Sequence, residues 1–144
     1  MGTASATLST NLHTTRSHTL PRAAAIGAVV ATVANVAIWA VGRAADVSFL
    51  VTPVGSTSTT EIGLAMVVAT TLVAFAAGVG LFALAARRSD RWARAVVGTG
   101  VVVAVVSAAG PLSTAADTST GVLLAAMHLL TGAVFAVSAA WARH

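Results

Sequence analysis

Two residues in this 144-residue chain place chemistry inside otherwise apolar runs, His128 and Asn35. An imidazole in such a setting can relay a proton, ligate a metal or haem, or hydrogen-bond a quinone-like ligand, and an ionisable residue within a span is by default a functional candidate. The plainer role is a neutral ring bonded to a neighbouring helix, because no second histidine, aspartate or glutamate stands deep in a span to pair with it. A bis-histidine haem would need a second buried histidine. Met127 lies about 100° round a helix from His128, so the two cannot share one metal. Asn35 brings an amide to mid-span, where an unpaired donor or acceptor is expensive. Steps of three and four from Asn35 give Ala28, Ala31, Thr32, Trp39 and Gly42. The same steps from His128 give Gly121, Ala125, Thr131, Gly132 and Phe135. Both stripes have the small residues that let helices approach closely. The expectation is that Asn35 and His128 face the interior of a bundle and meet there as one intramembrane polar site.

Other chemistries are poorly served. The chain has no cysteine, which excludes disulfides and thiolate sites. It shows no phosphate loop, metal-ligand motif or Ser/His/Asp set, and no span carries a glutamate of the kind small multidrug exporters use for proton exchange. No catalytic residue, metal site or cofactor is expected, and the chain reads as non-enzymatic. All eight basic residues are arginine. They flank apolar runs and form no stripe with interleaved aromatics, so nucleic acid is not an expected partner. Arg87, Arg88, Arg91 and Arg94 cluster in one connection. They can contact lipid headgroups or an acidic partner, although an orientation signal is the plainer role for such a loop.

The elements that must position these residues follow from hydropathy. The chain is 57% apolar and 8% charged, against about 25% charged in soluble domains. Four apolar runs, about 23–42, 62–86, 95–112 and 120–142, are each long enough for a helix to cross roughly 30 Å of hydrocarbon. Residues 1–21 are rich in Ser and Thr without a periodic apolar face and read as a disordered tail. Pro21 suits a helix's first turn. A signal peptide competes for the first run, but such h-regions are only about 7–15 residues long and three further spans follow. In the first loop, residues 47–51 are apolar enough to dip into the interface, and Pro53, Gly55 and the Ser/Thr run after them read as turn and loop. Residues 87–91 make a tight turn between antiparallel helices. Gly110-Pro111 reads as the end of the third span, and Asp117, Thr118 or Ser119 can cap the fourth. Faces through Thr70, Thr71, Ala74, Gly78 and Leu81, and through Gly100, Ala104, Ser107 and Pro111, read as packing surfaces.

Arginines fall mainly in the tail, the Arg87 to Arg94 connection and the C-terminus. The positive-inside rule therefore puts both termini on the cytoplasmic side. The expected fold is all-α, an integral membrane four-helix bundle running up-down-up-down, with residues 22–144 as the four-span domain. The Ala/Val/Arg usage points to a GC-rich bacterial genome.

The segment Ala109-Gly110-Pro111-Leu112-Ser113-Thr114-Ala115, with Ala125-Ala126-Met127-His128-Leu129 after it, resembles a family of small four-span actinobacterial membrane proteins catalogued as a domain of unknown function. The likeness covers about residues 22–143 and implies architecture and membrane location, without an activity or site residues. The resulting expectation is a multi-pass cell-membrane protein acting as an accessory or interaction component of the envelope, its partners being the bilayer and either further copies or another membrane protein. The alternative is a small oligomeric transporter or channel with a midplane site at Asn35 and His128.

Overall fold

The computed structural model describes residues 4–143, with side chains from Thr19 onward. The order is α1 (Ala4–Ala44), β1 (Leu50–Val51), β2 (Thr60–Glu61), α2 (Leu64–Ala86), α3 (Asp90–Thr114) and α4 (Thr118–Trp141). Four stretches are long and apolar enough to cross a membrane: Thr19–Ala44, Leu64–Ala86, Asp90–Thr114 and Thr118–Trp141. Each helix packs on its sequence neighbour, α4 returns to α1, and α2 and α4 also touch across the bundle.

Burial follows the logic of an apolar solvent. The outward surface is largely valine, as with Val106 at 67% and Val137 at 69% exposure, while much of the interior is alanine, threonine and phenylalanine. Lipid tails are as apolar as valine, so nothing drives these side chains inward. What favours the centre is close approach and polar pairing. Ala23, Gly27, Ala31 and Asn35 make the buried row of α1, and Val67, Thr71, Phe75 and Phe82 that of α2. Thr70, Ala74 and Leu81, expected on the packing face of α2, point outward instead. Gly100, Ala104, Ser107 and Pro111 do lie along the inner side of α3, buried or half-buried.

Two apolar clusters occupy the two ends. One joins Ala31, Phe75, Phe82, Ala93, Phe135 and Ala139 near the α2–α3 turn. Phe75 and Phe135 meet edge to face there, with centroids 6.3 Å apart. The other joins Phe49, Val67, Leu124 and Met127 beneath the loops.

Boundaries differ from the sequence expectation in three places. The tail expected to be disordered through residue 21 is helical from Ala4 onward, with Pro21 inside the helix; residues 1–3 lie outside the described residues. Once the apolar span is helical, preceding residues join at propagation cost without a new nucleus. At the other end of the bundle's first hairpin, α3 starts at Asp90, because Ser89 caps it by accepting from the Trp92 N–H at 3.4 Å. It also runs past Gly110-Pro111 to Thr114. A proline in a final turn removes one donor, which interior positions tolerate less well.

The long α1–α2 loop and the short α3–α4 connection close one end together. β1 pairs antiparallel with β2, Leu50 opposite Glu61. The other edge of β1 binds the α3–α4 connection through Thr52 N–H to Thr114 O at 2.8 Å and Ala116 N–H to Leu50 O at 2.9 Å. Residues 47–51, expected to dip into the interface, instead turn inward. Phe49 is fully buried at φ +51°. That region costs a non-glycine residue about 1–3 kcal/mol and persists only where its surroundings fix it. Here they do, since its N–H donates to Thr120 Oγ1 at 3.1 Å and its carbonyl accepts from Ile62 N–H at 2.9 Å. Arg43 pairs with Glu61 at 3.0 Å, and the Trp39 indole N–H donates to Ile62 O.

Asp117 is the α4 cap. It accepts from Thr120 N–H at 2.7 Å and from the hydroxyls of Ser48 and Thr120, each at 2.8 Å. The Thr120 backbone bond first, then these hydroxyls, hold its carboxyl below the ordinary aspartate value. A lowered folded-state pKa gives stability that is complete above the unfolded value, about 4, and lost as pH falls through the folded one. Thermal unfolding in nanodiscs should therefore weaken below about pH 4, and Asp117→Asn should flatten that acid limb. An unchanged limb would remove Asp117 as its source.

A buried asparagine tie as the candidate functional site

Asn35 is 2% exposed and lies between the two apolar clusters. Its helix neighbours show this directly, since Ala31 belongs to one cluster and Ile38 and Trp39 pack on the other. Thr71 stands likewise between Val67 and Phe75, and Thr131 between Met127 and Phe135. The three meet at one level. Asn35 Nδ2 donates to Thr71 Oγ1 and to Thr131 Oγ1, both at 2.9 Å, so one amide ties α1 to α2 and α4.

The orientation of that amide is determined by its partners. Thr71 donates its own hydroxyl proton to Val67 O at 2.7 Å, and Thr131 donates to Met127 O at 2.8 Å. Each hydroxyl can then only accept from Asn35, which requires the NH₂ group to face them. Asn35 Oδ1 is left buried without a partner among the described residues, as is Thr32 Oγ1 one turn away. The tie thus uses both donors of the amide and leaves its acceptor unsatisfied.

His128 is not part of this arrangement. It is exposed on the outer surface, and its ring bonds back along its own helix, Nδ1 to Leu124 O at 2.8 Å. A carbonyl only accepts, so Nδ1 carries the proton, and in the neutral ring Nε2 is an acceptor. No partner for Nε2 is found among the described residues. The expectation that Asn35 and His128 share a site is therefore corrected: the threonines occupy the positions around Asn35, and the imidazole leans outward. Thr71 and Thr131 lay on the predicted small-residue stripes, yet nothing in their spacing marked them as Asn35's partners. A usable signal was that each is a hydroxyl at mid-span on a packing face.

Arg87, Arg88, Arg91 and Arg94 are all exposed at the α2–α3 turn. No group of three or more metal-ligating side chains occurs among the described residues. The arrangement around Asn35 can hold helices in register; it presents no nucleophile and no acid–base pair.

No curated protein and no solved structure matches the chain. The family of unknown function DUF6069 matches it over residues 15–143, so the chain, with its four membrane-capable helices, belongs to that family.

Proposed function

We propose that this protein is a non-enzymatic component of a bacterial cell membrane that works by lateral association with another membrane-embedded chain, a second copy included, with both termini cytoplasmic. The observation that carries the reading is His128. An imidazole acceptor stands exposed at mid-span, and hydrocarbon offers it no donor, so that an unmet polar group there is costly. A donor on a partner helix meets that need, and interhelical hydrogen bonds of this kind contribute about 0.6–2 kcal/mol. Val122 and Leu129 are also outward-facing; seven apart, they share one face of α4 about 100–120° round from His128 and give such a helix an apolar surface beside the ring. The transport reading loses its midplane pair, because Asn35 has both donors committed within the bundle and His128 is elsewhere.

Photo-crosslinking tests this in native membranes. A benzophenone side chain at position 129 should give a protein adduct of defined size, and His128→Leu should reduce that adduct severalfold while leaving thermal stability near wild type. Adducts with lipid alone, or adducts indifferent to His128→Leu, would contradict lateral association at this face.

A further inference from the structure

Among the residues whose side chains are described, the end of the bundle opposite the strands carries six arginines, Arg22, Arg87, Arg88, Arg91, Arg94 and Arg143, against the one side-chain carboxylate of Asp90. All six are exposed. That they share one end follows from Thr19, whose hydroxyl donates to Ala142 O, and from Phe82, Ala93 and Ala139 in one cluster. The loop end is the reverse, one arginine against Asp46, Glu61 and Asp117, and Arg43 there is paired with Glu61. None of the six is in an ion pair among the described residues, although Asp90 lies within four residues of four of them. At the loop end Glu61 is paired with Arg43 and Asp117 is held by hydroxyls and a backbone N–H. The arginine end is left with its charge unmet.

Depth is marked by tryptophan. Trp92 is 61% and Trp141 52% exposed, both at this end, and exposed indoles settle at the headgroup level. Trp92 lies between Arg91 and Arg94, so those guanidiniums sit within side-chain reach of headgroup phosphates. Arg91 and Arg94 are three apart on α3 and share a face, and Arg87 and Arg88 approach from the turn. A guanidinium presents a planar fork that binds two phosphate oxygens at once, which an ammonium cannot.

We infer that Arg87, Arg88, Arg91 and Arg94, beside Trp92, form a binding surface for the phosphate of an anionic phospholipid headgroup. The surface holds a lipid selectively, beyond setting orientation during insertion. Phosphate is the shared chemistry of a lipid headgroup and a free anion, and the position of the tryptophans assigns it to the lipid.

Native mass spectrometry of the full chain in mild detergent, with equal amounts of phosphatidylglycerol and phosphatidylcholine, reads the selectivity. Wild type should retain phosphatidylglycerol over phosphatidylcholine by about tenfold, from roughly a factor of five per engaged basic residue with partial overlap. Arg91→Gln with Arg94→Gln should bring the ratio below about threefold by the same per-residue factor. Because that pair leaves Arg87 and Arg88 as a basic flank, insertion is preserved; unchanged helicity and thermal stability confirm the fold. Equal retention of both lipids by wild type, or an undiminished ratio in the double variant, would overturn the inference. Displacement of the bound lipid by millimolar inorganic phosphate would overturn the assignment to lipid in favour of a free anion.

Discussion

Asn35→Ala should lower the stability of the bundle by about 2 kcal/mol in bilayer unfolding measurements. Two interhelical bonds are lost, each contributing about 0.6–1.7 kcal/mol in membranes, and a small void opens where the amide stood. Two features keep the loss moderate. Thr71 and Thr131 remain satisfied as donors to Val67 O and Met127 O, so no buried hydroxyl proton is stranded. Removing the amide also removes the unpartnered Oδ1, an acceptor whose burial costs about 1–3 kcal/mol. A loss under about 0.5 kcal/mol would mean that the tie contributes less than the membrane average for one bond.

The second large effect is expected at Gly132, where α4 packs closely on Ala104 of α3. A Cβ there would stand far inside van der Waals contact with the Ala104 Cβ, so the two helices must separate. Overpacking of this kind costs about 1–3 kcal/mol, which outweighs the gain of about 0.5–1 kcal/mol from replacing glycine by alanine in a helix. Gly132→Ala should therefore destabilise, and Ala104→Gly in the same chain should recover most of the loss by vacating the opposing position. Gly80 and Gly98 are the contrast, since a Cβ at either meets nothing within 4 Å. Gly80→Ala should leave stability unchanged or raise it by up to about 1 kcal/mol. An equal gain at Gly132 and Gly80 would show that helix propensity, and not the interface, governs both.

The four spans were legible because a run of about 20 apolar residues has few other readings, and Asn35 was legible as an amide that no span can leave unpaired. The boundaries were less so. Arg91, Trp92 and Arg94 look like a loop by charge, yet Ser89 caps a helix through them, because the bilayer edge accepts charged helical turns as readily as loops. The strands were illegible, since β1 and β2 are two residues each and β1 depends on the α3–α4 connection for its other edge. Phe49 gave no sign of its inward turn, which follows from tertiary bonds to Thr120 and Ile62. His128 misled for a specific reason. Gly121, Ala125, Gly132 and Phe135 on its stripe do reach the interior, buried or half-buried, but a helical side chain lies back over the preceding turn. The ring consequently finds Leu124 O and stays on the outer surface.

A pair of double-mutant cycles addresses the central claim most directly. Bilayer unfolding of Asn35→Ala, Thr131→Val and their combination should give a coupling of about 0.6–1.7 kcal/mol, the range of one interhelical bond in a membrane. The parallel cycle of Asn35→Ala with His128→Leu should give none beyond about 0.3 kcal/mol, as for residues without a shared partner. The opposite pattern, with Asn35 coupled to His128 and indifferent to Thr131, would contradict both the three-helix tie and the outward imidazole.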